Sequence, residues 1–142
     1  HCPGVADYVQ AMGIHLRFDG VLPGVLRELA ILITARFWKA DYEWNSHAPI
    51  AEEEGLSPDV IAAIADNKTP QFPSPDQQAV YAFCRDLHVN HQVADTTYDD
   101  AAGALGTEAV VELTALCGYY TLISMTLNTF QVRPPEGAAK LS

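Results

Sequence analysis

Apolar positions recur along this chain at spacings of three and four, and no run alternates cleanly between apolar and polar residues, so the pattern predicts helices and no strands. Val5, Tyr8, Val9, Met12 and Leu16 form the first stripe, which predicts a helix over about Val5 to Phe18 ending near Asp19-Gly20. A second stripe starts at Pro23, a residue suited to a first helical turn, and runs through Leu26, Leu29, Ala30, Ile33 and Phe37 to about Lys39. Asp41 is the expected cap of a third helix, which Pro49 should bend or restart and Gly55 should stop. Ser57-Pro58 then opens a short helix to about Asp66.

Asn67 to Pro75 holds three prolines in nine residues and is the one sizeable loop expected, dividing the chain into halves. Ser74-Pro75 opens the next helix, to about Asn90, with Val80, Phe83, Cys84 and Leu87 as its apolar stripe. Asp95 or Thr96 should cap a short helix closed by Gly106. Thr107 should cap the last, about Glu108 to Phe130, whose apolar residues surround the axis and place it centrally or at a subunit interface. Pro134-Pro135 prevents its continuation. The expectation is an all-α fold of about six helices in a single domain over residues 1–142, beginning abruptly, as if a segment preceded it.

Composition narrows the function. With 49% hydrophobic residues in 142, the chain can bury about 68% of its unfolded surface and hold a real core. Eighteen acidic against eight basic residues give a formal charge of -10, which repels both nucleic acid and anionic membrane surfaces. A small anion can still bind where an arginine is focused into a pocket, which draws attention to Arg27 and Arg36. Cys2, Cys84 and Cys117 are odd in number and form no C-x-x-C, so neither a disulfide framework nor a zinc site is signalled and a reducing, cytoplasmic setting is expected. The apolar stretch Ala109 to Val132 carries Glu112, Thr114, Thr121, Ser124, Thr126 and Asn128, which suits a core helix better than a membrane span.

Candidate chemistry concentrates between Arg27 and Ala51. Glu43 and His47 are four apart, so on a helix they share a face, and the carboxylate can orient the imidazole or favour its protonated form. A tight return at Ala40-Asp41 would bring Glu28 toward them as a second carboxylate. Tyr42 and Trp44 add a phenol and an indole donor, Arg36 a cation, and His15 a ring beside an apolar stripe that is structural or lines the pocket. Asn128, polar on an apolar helix, needs either a helix-helix hydrogen bond or a ligand. His88 and His91 stand three apart without a third ligand, so no metal is expected.

The order R-E-L-A-I-L (27–32), Y-E-W-x-x-H-x-P-I-A (42–51), G-L-S-P (55–58) and G-Y-Y-T-L-I-S-M-T-L-N-T-F (118–130) resembles the carboxymuconolactone decarboxylase and AhpD-like group over about Val21 to Pro135. AhpD-type disulfide reductases carry a glutamate, a C-x-x-C pair, and a histidine four residues after the second cysteine. On that pattern the glutamate falls on Glu28 and the histidine on His47, while the cysteines fall on Ala40 and Glu43. Thiol peroxidase chemistry needs a thiolate and a resolving partner that alanine and glutamate cannot replace. Decarboxylases of the group, like this chain, place a glutamate four before the histidine, but they carry an arginine where this chain has Asn45.

The resemblance implies a helical homo-oligomer, a homotrimer or homohexamer, acting on a small-molecule substrate. Three readings follow. In the first, this is a cofactor-free decarboxylase-like enzyme, or a related isomerase or hydrolase, for a small lactone or keto acid; His47 is acid/base, Glu43 orients it, and Glu28 is the second acid/base. The others are an AhpD-like antioxidant protein, to which the missing C-x-x-C is an objection, and a non-catalytic ligand-binding module.

Overall fold

The structure, a computed structural model, describes residues 2–141, and among these it contains helices and no strands. The helices are α1 (Pro3–Ile14), a π-helical segment (His15–Asp19), α2 (Gly24–Phe37), α3 (Asp41–Glu53), α4 (Pro58–Ala65), α5 (Pro75–Asn90), α6 (Asp95–Leu105) and α7 (Thr107–Thr129). Among the described residues the seven α-helices match, one for one, the seven helical segments predicted individually, against the overall figure of about six.

α2 is the centre of the bundle. Its residues from Glu28 through Ala35 are all buried, and it packs against α3, α5 and α7. A helix enclosed on every side must satisfy any polar group it carries from within the protein, which makes Glu28 and Thr34 the residues to follow. Lys39, in the left-handed region at φ 50°, reverses the chain between α2 and α3. The Ala40 N–H donates to the Ala35 carbonyl at 2.9 Å and closes that turn, so α3 runs back along α2.

The first predicted helix is interrupted. α1 stops at Ile14, and the wider π turn buries Leu16 while His15 and Phe18 lie at the surface. The Glu112 carboxylate of α7 anchors the chain beyond it, accepting from the Val21 N–H at 2.7 Å and the Leu22 N–H at 3.0 Å. Most of α1 is exposed, and Gly13 is its one buried residue. A Cβ there would collide with the Tyr119 hydroxyl, so this glycine lets α1 lie against α7.

Ser57 caps α4 as predicted, whereas three other predicted caps shift by one residue. Ala40, Ala94 and Gly106 precede α3, α6 and α7, and Asp41, Asp95 and Thr107 are the first helical residues. Asp41 serves another purpose: its Oδ1 accepts from the Leu141 N–H at 2.9 Å. Asn45, where the related decarboxylases carry arginine, exchanges two hydrogen bonds with the Ala139 backbone at 2.7 and 3.0 Å. Together they fasten the C-terminal tail to α3. Pro49 sits inside α3 without ending it, and the helix runs on to Glu53 before Gly55, at φ 96°, turns the chain away.

α7 is central only in its first half. Ala109, Val110, Leu113, Leu116, Cys117 and Tyr120 are buried, whereas Leu122, Met125 and Phe130 are exposed. By length and composition it could cross a membrane, with a mean hydropathy of 1.4 over its most apolar window, of which 33% is buried in the bundle. Asn128 is exposed, not buried as expected, because it falls in the second half; its Nδ2 donates to the Trp38 carbonyl at 2.8 Å and ties α7 to the end of α2.

Candidate active site

The α2–α3 return brings His47 onto Glu28. The imidazole Nδ1 lies 2.6 Å from Glu28 Oε2, and Glu28 Oε1 lies 3.4 Å from Arg27 Nε, so the carboxylate is held between two cationic or hydrogen-donating partners. Arg27 also reaches Glu54 at 3.5 Å. One turn before His47, Glu43 places Oε2 3.5 Å from the other ring nitrogen, Nε2. The three side chains therefore form a line, Glu28 to His47 to Glu43, with the ring in the middle.

Burial differs slightly along that line. The Glu28 side chain is 1% exposed, while His47 and Glu43 keep 8% and 9%. Glu28 is thus the most enclosed of the three, and the Glu43 Oε2 atom beside Nε2 is itself buried. With Glu28 accepting the Nδ1 hydrogen, a neutral imidazole carries its lone pair on Nε2, facing Glu43. Burial raises the Glu43 pKa above its ordinary value, and the charges of His47 and Arg17 oppose that shift without cancelling it. The Glu43 Oε2 atom is buried and has no hydrogen-bond partner of good geometry among the described residues.

α7 supplies the remaining wall. The Tyr120 ring meets the His47 ring edge-on, with centroids 5.2 Å apart, and Tyr119 meets Tyr120 in the same way. Burial pushes the Tyr120 phenol well up, which keeps it a hydroxyl. Tyr119 rises for the same reason, with Glu43 adding to it. Arg17, from the π segment, is near enough to act electrostatically on Glu43 and on both tyrosines. Sequence reasoning missed Arg17, Tyr119 and Tyr120; the Gly118-Tyr119-Tyr120 run was a signal for the tyrosines, but no local pattern marks Arg17.

Glu28, Glu43 and His47, expected to meet, do so, although their arrangement alters the expected roles. Glu28 lies against Nδ1 at the shorter distance, and Glu43 stands at Nε2. The other candidates lie elsewhere. Trp44 is buried in the hydrophobic core. Its Nε1 forms no bond to this group, whereas Trp38 donates to Thr121 at 3.1 Å. Tyr42 and His15 are exposed. Arg36 faces a separate cavity at the far end of α2, because eight residues of helix separate it from Glu28.

A second buried polar cluster lies between α2, α5 and α7. Thr34 Oγ1 donates to the Ala30 carbonyl at 2.9 Å and lies 2.9 Å from His88 Nε2, so with its single hydrogen committed it accepts from the His88 N–H. The Cys84 and Cys117 sulfurs are 3.5 Å apart, both buried and unbridged. The Cys84 thiol, hydrogen-bonded to Cys117, draws the Cys117 pKa down to about 6 with help from His88 and Thr34, while Cys84 itself is raised.

The sequence model of the carboxymuconolactone decarboxylase family matches residues 3–90, a span holding Glu28, Glu43 and His47. No curated protein matches the chain. Among solved structures it is similar to a protein of unknown function from Agrobacterium tumefaciens, described as a candidate antioxidant defence protein AhpD. The TM-score is 0.74 at 15% identity, covering 94% of this chain and 92% of that one. Identity that low speaks for the shared AhpD-like helical fold alone, whereas the match over more than half of the sequence places the chain in the carboxymuconolactone decarboxylase family.

Proposed function

We propose that this chain is a cofactor-free acid/base enzyme that decarboxylates a small lactone or keto acid. The observation that carries this reading is the Glu28–His47–Glu43 line, with a 2.6 Å bond at one ring nitrogen and a second buried carboxyl group, raised in pKa, 3.5 Å from the other. Loss of carbon dioxide from a β-keto or vinylogous acid breaks one carbon–carbon bond and leaves its electron pair as an enolate. A proton must then reach the carbon that lost the carboxylate. Glu43, whose pKa burial raises, is the donor in its protonated form. His47 Nε2, oriented by Glu28, stabilises the developing enolate as its donor when protonated and takes up the next proton from solvent. Tyr119 and Arg17 offer a hydroxyl and a cation to the substrate's oxygens.

The thiol antioxidant reading has the fold of the Agrobacterium protein in its favour, but not the residues. Cys84 and Cys117 are buried on α5 and α7, and the positions on which the cysteine pair of the group falls are Ala40 and Glu43. Carbon dioxide release from a panel of carboxylated lactones and β-keto acids tests the proposal. Release is expected from the unaltered protein and should fall by about 10²- to 10⁴-fold in His47→Ala, with helical circular dichroism retained. Release that survives His47→Ala would refute the mechanism.

The same reading includes a homo-oligomer, a trimer or hexamer. Val5, Tyr8 and Met12 on α1, and Leu122, Met125 and Phe130 on α7, form exposed apolar surface of the kind that partner subunits cover. Light scattering should report a multiple of 15.4 kDa; a monomer at micromolar concentration would reject this part.

A further inference from the structure

At the end of α2 away from Glu28, a cavity of about 290 Å³ opens between α2, α4 and α5. Arg36, Lys39, Lys68 and Arg85 line it. These are half of the eight lysines and arginines in a chain of formal charge -10, and none of its eighteen aspartates and glutamates joins them in the lining. Like charges gathered in a concave, partly apolar site repel one another and lose hydration, a cost that a bound anion relieves.

The details point the same way. Arg36 Nε is buried and has no acceptor among the described residues, although a buried guanidinium N–H is ordinarily satisfied. The protein's own counter-charge here is Asp66, 2.7 Å from Lys68, but both side chains are well exposed and the pair is screened by solvent. Asp66 also feels Arg36, yet leaves its Nε unbonded. The floor is flat and apolar: the His88 ring stacks on Phe37 with centroids 4.9 Å apart and planes 16° apart, and Ile33 and Ile64 complete it. Arg85 lies over the Tyr81 ring at 5.9 Å, which holds its guanidinium at the rim.

We infer that this cavity is a binding site for a small organic carboxylate with a flat apolar body, separate from the acid/base site. The carboxylate takes the Arg36 and Arg85 forks, whose planar pairs of N–H donors match its two oxygens, and the body lies on the Phe37–His88 stack. Lys39 and Lys68 add charge that draws the anion in against the field of an otherwise acidic surface. Glu28, Glu43 and His47 do not line the cavity, so binding here and proton transfer there stand or fall independently.

Amide-resolved NMR titration with benzoate, and with benzamide as its neutral counterpart, tests the site. Benzoate is expected to give saturable shifts in the amides of residues 33–39 and 85–89, with benzamide and the Arg36→Gln/Arg85→Gln variant each binding about tenfold or more weakly. The His47→Ala protein should bind benzoate unchanged. The same spectra verify that each variant is folded. Absence of saturable shifts at millimolar benzoate, equal binding of benzamide, or shifts centred on other residues would overturn the inference.

Discussion

His47 and His88 are buried to nearly the same degree, 6% and 7% exposed, and each bonds a polar residue of α2 through one ring nitrogen and meets an aromatic ring. Their partners differ. His47 faces a carboxylate, Glu28, with a second carboxyl group across the ring; His88 faces the Thr34 hydroxyl, and its nearest neighbours are thiols and Phe37. A carboxylate stabilises whichever form of the ring carries an extra proton, whereas a hydroxyl that has spent its hydrogen on a helix carbonyl merely accepts one. On the proposed function, equal burial therefore yields a proton-handling histidine in one place and a packing histidine in the other, and the partner decides which.

That comparison can be broken by removing partners. His47→Ala should cost the most stability, about 3 kcal/mol, because Glu28 then remains buried with only Arg27 beside it. Urea denaturation should show part of the loss restored when Glu28→Gln is added; no restoration would mean that the lost ring, not the stranded charge, carried the effect. Thr34→Val preserves shape and leaves the His88 N–H unpaired, so a loss of about 1–2 kcal/mol is expected with carbon dioxide release little changed. The smallest effect concerns Glu43. Its folded pKa lies above the ordinary 4.5, so the folded state holds the proton longer and stability falls as pH rises from that value through the raised one. Glu43→Gln should remove this slope in pH-dependent thermal melts, while a slope equal to that of the unaltered protein would place the titration elsewhere.

Much of this arrangement was legible because it is local. The Glu43–His47 spacing and the Ala40–Asp41 return are short-range features, and they sufficed to bring Glu28, Glu43 and His47 to one place. The role of each did not follow, since the distances of 2.6 and 3.5 Å depend on how α2 and α3 pack. Contacts that span the chain were invisible: Glu112 holding Val21 and Leu22, Asp41 and Asn45 holding the tail, and Tyr120 covering His47. The π turn belongs with these, because the apolar stripe reads continuously from Val5 to Leu16, and Glu112, anchoring the chain beyond it, is remote in sequence. Asp41 and Thr107 were misplaced as caps by one residue, a shift that side-chain preference cannot resolve when the preceding residue is alanine or glycine.

The thiols carry a practical consequence. Cys2 is at the surface, whereas Cys84 and Cys117 are sealed between two helices that must separate before any reagent arrives. Cysteine alkylation should therefore proceed in two stages, one immediate and one paced by the opening of α5 from α7, so that the slow stage serves as a clock for local unfolding at the heart of the bundle without any engineered probe.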